Sequence, residues 1–184
     1  MTSEDSVGAP PDDLRIRVRE GKDKTVVTVH LEHDAAHCFE RFCQVDEVPT
    51  WLWVVSGAVV HKRDLLGRAL EVDFMGHLQR ASVGYALSYR YDDGKMEVTW
   101  SNRKSTGAVK DMSGSAHFIP EQDGGCTLRY TLHSELSGSL PDWDDRLYSA
   151  RPAEAVVLDF CEWLDRGEAE DSADLFPPDD TQEL

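Results

Sequence analysis

From Val54 onward the chain alternates apolar and polar residues. Over 81–91 the odd positions are Ala81, Val83, Tyr85, Leu87, Tyr89 and Tyr91, and the even ones Ser82, Gly84, Ala86, Ser88 and Arg90. Met96, Val98 and Trp100 alternate with Glu97, Thr99 and Ser101 in the same way, and Leu128, Tyr130 and Leu132 with Thr127, Arg129, Thr131 and His133. A two-residue period sends successive side chains to opposite faces, so each segment has one dry face and one wet face. Strands are predicted at about 54–63, 68–78, 81–91, 95–102, 107–119 and 125–137. They are separated by Leu65–Gly67, Asp92–Gly94, Lys104–Thr106 and Asp123–Gly125, and the Asp-Asp-Gly and Asp-Gly-Gly elements are hairpin signals. One long antiparallel meander is the simplest result.

The pattern differs on either side of this run. Residues 14–19 alternate as a possible edge strand, Gly21 to Lys24 reads as a turn, and Thr25 to Leu31 is a β-branched strand. Asp34 is placed to N-cap a helix in which Ala35, Phe39 and Phe42 share a face. The passage from Cys43 to Trp51 then bends, because Pro49 fixes its own φ and disfavours helix at the residue before it. Trp51 and Trp53 are costly to leave in water and need an apolar surface to cover. At the far end Pro152 suits a first helical turn, Glu154 adds a favourable charge there, and Val156, Phe160, Trp163 and Leu164 recur at helical spacing. A helix of ~15 residues is about 22 Å long, enough to lie across several strands.

Length and charge bound what this order can be. The 184 residues, 40% of them hydrophobic, make one domain over 14–166, flanked by acidic tails at 1–13 and 167–184 that are expected to be disordered. Of the net charge of −16, residues 1–13 contribute four acids and no base, and 142–184 fourteen acids against three bases. The body is nearly neutral, which disfavours binding to nucleic acid or to an anionic membrane surface. No apolar run reaches bilayer length and Met-Thr-Ser-Glu-Asp lacks the parts of a signal peptide, so a cytoplasmic location is expected. Cys38, Cys43, Cys126 and Cys161 show no paired spacing and read as free, buried thiols.

Candidate chemistry is sparse. His33-Asp-Ala-Ala-His37 approaches the zinc-protease pattern His-Glu-x-x-His, but the required Glu is Asp, and Asp34 serves better as the helix cap, leaving His33 outside the helix. His77 and His117 fall in strands beside polar neighbours. Glu71 and Asp73 alternate with Leu70, Val72 and Phe74 and so face water. Asp111 would turn inward only if a bulge formed at Gly114. No Gly-x-Ser-x-Gly, phosphate loop or Gly-x-Gly-x-x-Gly fingerprint occurs. Neither a metal nor a cofactor is expected.

The order strand, helices, six strands, long helix, with Asp46 and Trp51, four residues between them, ahead of the sheet, resembles the superfamily of START lipid-transfer domains, birch-pollen allergens and polyketide cyclases (SRPBCC). The coenzyme-Q-binding-like branch is one candidate within it. Gly138-Ser-Leu-Pro141-Asp-Trp143 before the last helix is similar to the Gly-x-x-Pro-x-Trp passage of START domains. The next residues, Asp144-Asp145-Arg146, depart from the apolar residue and polar amide usual in that family. The resemblance, over residues 24–166, implies an α+β helix-grip fold: a curved antiparallel sheet of about seven strands around a long C-terminal helix, with two short helices after the first strand. It further implies a cavity reached by Trp51, Trp53, Tyr85, Tyr89, Met96, Trp100, Leu140 and Phe160. Removing Trp100 should then weaken uptake of an apolar probe with little loss of fold. Three functions stay open: binding of a lipid, quinone or polyketide-like molecule for transfer or sequestration; a polyketide aromatase or cyclase; and a protein-interaction module with a filled core.

Overall fold

The computed structural model describes residues 16–78, 81–104, 109–136 and 152–174. The chain runs through β1 (Arg17–Glu20), β2 (Thr25–Leu31), α1 (Ala35–Phe42), a 3-10 turn (Val45–Glu47) and α2 (Val48–Trp51). Then come β3 (Val55–Arg63), β4 (Ala69–Leu78), β5 (Ala81–Asp92), β6 (Glu97–Lys104), β7 (Val109–Pro120), β8 (Cys126–Leu136) and α3 (Pro152–Asp174). All these strands join one antiparallel sheet in the order β1-β2-β8-β7-β6-β5-β4-β3. The meander from β3 to β8 follows from the hairpin turns, and β2 closes against β8 with Thr28 opposite Arg129. This is the α+β helix-grip architecture, a curved open sheet with a C-terminal helix.

Two boundaries differ from expectation. The sheet has eight strands among the described residues, not about seven, because Arg17–Glu20 pairs with β2 as a full edge strand, Val18 opposite Val27. Helix α3 continues to Asp174, past the end expected near 166. Gly167 does not adopt the positive φ of a helix stop, and the Glu-Ala-Glu-Asp-Ser-Ala sequence after it contains no proline, so nothing local ends the helix there. Residues 1–13 and 175–184, read as tails, lie outside the described residues, as does the Gly138–Trp143 passage.

The inner face of the sheet and one stripe of α3 make the core. Ala153, Val157, Phe160, Cys161 and Leu164 recur at helical spacing and are 0–4% exposed, packing over β2, β8 and α2. The stripe is centred one residue away from the expected one, with Val156 and Trp163 half-buried on its flank. All four cysteines are buried and unpaired. Burial pushes the thiols of Cys43 and Cys161 up to about 12, so they pack as small neutral hydrophobes.

Helix α1 starts where the sequence predicts. The Asp34 carboxylate accepts from the backbone N–H groups of Ala36 and His37 at 2.9 and 3.2 Å, while Ala35, Cys38 and Phe39 face the core. His33 is thereby left outside the helix, and its Nε2 lies 2.9 Å from Asp165 on α3. Asp34→Ala is expected to lower stability by about 1 kcal/mol, the usual worth of an N-cap, as a shift of the urea midpoint at constant m-value.

Candidate functional site

Between the inner face of the sheet and the start of α3 lies a cavity of about 210 Å³. Phe42, Val45, Trp51 and Leu52 close it from the helical side. Phe74, Val83, Tyr85, Leu87 and Tyr89 supply one wall from β4 and β5, and Trp100, Met112, Tyr130 and Leu132 the other from β6 to β8. Pro152 and Val156 of α3 complete it. The described lining has no charged side chain; its hydroxyls are those of three tyrosines and Ser134.

Alternation explains most of this. Tyr85, Leu87 and Tyr89 share a face because they stand two apart on β5, and Tyr89 lies opposite Trp100, which lies opposite Gly114. A Cβ at Gly114 would overlap the Thr131 carbonyl oxygen and the Trp100 indole. The missing side chain is what lets the indole lie close over β7.

Of the residues expected here, Trp51, Tyr85, Tyr89 and Trp100 line the cavity. Trp53 does not: it sits in the turn after α2 and is 68% exposed. Its backbone N–H instead bonds the Asp159 carboxylate of α3. Met96 also leaves the set, because it adopts φ 51° in the β5–β6 turn and so falls out of the strand's alternation. It borders an open depression beside Phe39, Cys43 and Arg68. Phe160 is fully buried behind the wall, touching Phe42 and Trp51 at ring-centroid distances of 5.1 and 5.6 Å. Leu140 lies outside the described residues.

Phe42 is the residue that sequence reasoning passes over. Its helical spacing reads as packing, yet it contributes to the wall as well. Its ring lies within 6.5 Å of five others: Trp51, Trp100, Phe118, Tyr130 and Phe160. Trp100, 7% exposed within this cluster, is a structural residue too. Emptying such a site costs ~3–5 kcal/mol, so Trp100→Ala should lower stability as well as probe uptake.

The polar candidates sit elsewhere. Glu71 and Asp73 face outward and pair with Arg103, with His61 and Lys104 also on Asp73. Asp111 approaches His133 at 3.4 Å, and the register shift of β7 falls between Val109 and Asp111, not at Gly114. His117 points away from the core between buried Ala116 and Phe118. The side chain of His77 is outside the described set. Among the described residues, one group could approach a shared cation: His30, Glu121 and Asp123. The two carboxylates, however, meet different imidazole nitrogens. Glu121 also accepts from Thr127, and Asp123 from the Gly125 N–H, so these residues serve to fasten the β7–β8 turn to β2.

Asp159 stands on α3 outside the cavity lining. Burial pushes its pKa up, against the hydrogen bond from Trp53, and its Oδ2 is sealed off without a partner. A raised folded-state pKa means the folded protein holds the proton more tightly. The resulting stability is fully present below the ordinary carboxylate range and is lost as pH rises through the raised value. Asp159→Asn should therefore raise the melting temperature at neutral pH, with the gain disappearing in acid. Gly114→Ala should cost about 1–3 kcal/mol by overpacking and shift the tryptophan emission as Trp100 is displaced.

No protein-family model and no curated protein matches the sequence. Solved structures do match in fold. A START superfamily protein from Mycobacterium smegmatis superposes with a TM-score of 0.66 at 12% identity, covering 78% of this chain and 98% of that one. An aromatase/cyclase from Streptomyces gives 0.62 at 13% identity, with coverages of 84% and 94%. A STAR-related lipid transfer protein from Xanthomonas axonopodis gives 0.59 at 15% identity, with coverages of 86% and 97%. Sheet order, helix position and these likenesses agree: the chain has the helix-grip fold of the START and polyketide-cyclase superfamily.

Proposed function

We propose that the protein binds one small, uncharged hydrophobic molecule between the sheet and α3, for transfer or sequestration. The observation that carries this reading is the cavity of about 210 Å³ with an almost wholly apolar lining. Cavities of about 150 Å³ take up a single benzene ring, so the size suits a molecule of one or two rings, or an acyl segment of similar bulk. A quinone or an aromatic polyketide-like compound fits this description better than a whole phospholipid. Fold neighbours named as lipid-transfer and START proteins support binding in general.

A polyketide aromatase or cyclase is the second reading, favoured by the Streptomyces neighbour. Against it, the described lining offers hydroxyls but no imidazole, carboxylate or guanidinium near Tyr85 or Trp100 to move protons. The filled-core interaction module is disfavoured by the cavity itself. No described helix is long and apolar enough to cross a membrane.

Native mass spectrometry of the purified protein, followed by solvent extraction, tests the reading directly. A stoichiometric hydrophobic molecule, or tight uptake of an apolar fluorophore by the empty protein, is the expected result. Val83, 4% exposed on the cavity wall, provides the control. Val83→Trp should fill the space and weaken fluorophore binding about tenfold or more, equivalent to ~1.4 kcal/mol, with unchanged far-UV circular dichroism. Undiminished binding in that variant would move the site elsewhere.

A further inference from the structure

Two hydroxyls in the cavity have no partner among the described residues. Tyr89 and Tyr130, 8% and 5% exposed, both line it and flank Trp100, their ring centroids 6.4 and 5.3 Å from its own. Tyr91, by contrast, donates its hydroxyl to the Ala69 carbonyl at 2.6 Å. No hydrogen bond forms from either Tyr89 or Tyr130 to the described protein. Neither oxygen is sealed off, however: among the described residues the fully occluded, unpartnered side-chain polar atoms are Asn102 Oδ1 and Asp159 Oδ2. Both rings line the cavity, and both oxygens keep some accessible surface. A buried phenol left unpaired is disfavoured, and phenylalanine would pack as well without that cost.

Resting on the binding reading above, we infer that the Tyr89 and Tyr130 hydroxyls are the cavity's recognition groups, donating hydrogen bonds to a neutral carbonyl oxygen on a small aromatic occupant. The indole of Trp100 between them offers a flat face against which an aromatic ring can stack. Burial raises the pKa of both phenols, with Tyr85 adding to the effect, so they remain protonated donors throughout the physiological range. An anionic occupant would meet no countercharge in the described lining and would be strongly disfavoured. A carbonyl can replace the water that would otherwise satisfy these hydroxyls; a hydrocarbon of the same shape cannot.

The test compares 2-acetylnaphthalene with 2-ethylnaphthalene, which differ in having a carbonyl in place of a methylene. Each is titrated into the wild-type protein, Tyr89→Phe, Tyr130→Phe and the double variant, with thermal melts alongside. The ketone is expected to bind about twofold to tenfold more weakly for each hydroxyl lost, the range of a single net hydrogen bond. The hydrocarbon should bind as well or better, and the melting temperature should not fall, because no bond within the protein is removed. Equal weakening of both probes, or undiminished ketone binding in the double variant, would overturn the inference. Failure of both probes to bind the unsubstituted protein would instead overturn the binding reading beneath it, and it would be seen before any tyrosine is altered.

Discussion

The edge-to-face contact of Phe42 with Phe160, ring centroids 5.1 Å apart at 79°, joins the end of α1 to the middle of α3. On its other sides Phe42 meets Trp51, Trp100, Phe118 and Tyr130, so one ring links both helical elements to three neighbouring strands. Aromatic pairs of this kind contribute ~0.5–1.5 kcal/mol beyond the apolar area they bury. Their geometry matters as much as their energy. The cluster fixes how α3 lies against the sheet, and the cavity is the space left beside it. Trp51 extends the cluster by stacking on Trp163 at 5.9 Å, over which Arg41 lays its guanidinium 3.9 Å from the ring centroid.

The two faces of the sheet divide the work. Outward-facing charges pair among themselves: Arg103 with Glu71 and Asp73, and His61 and Lys104 with Asp73. Exposed pairs of this kind add little stability each, but they keep one face wet and so set the register, since a one-residue slip would exchange it with the dry face. The inner face is then free to be nearly all apolar. This is why the described carboxylates and histidines that invite catalytic readings in the sequence are absent from the cavity lining.

Much of the fold was legible because it rests on local rules. The two-residue period gave the strands from β3 to β8, the Asp- and Gly-bearing turns gave their hairpins, and Asp34 marked the start of α1. The eighth strand was visible only as a weak alternation, since Arg17–Glu20 is an edge whose pairing, not its composition, makes it a strand. The site was half legible. Tyr85, Tyr89 and Trp100 follow from alternation, but Met96 left it through one left-handed backbone angle. Trp53 lay beyond a helical turn where a period of two no longer applies. Phe42 was hidden for the opposite reason: a helix face reads as packing whether or not a cavity borders it, and only the crossing of α1, α3 and the sheet determines which.

The sheet order also bears on how the chain reaches this state. Every neighbour pair from β3 to β8 is consecutive in sequence, so each hairpin can form on its own, with a short loop to close. The β2–β8 seam is different, because Thr28 must find Arg129 from the other end of the chain, and α3 packs on those same two strands. Such non-local pairings lengthen the search and slow folding. The inner walls thus belong to the part of the molecule that can assemble early, and the closing seam and its helix to the part assembled last. A nascent protein with its hairpins made and α3 still undocked would present its aromatic trough to solvent, open to any apolar compound at hand.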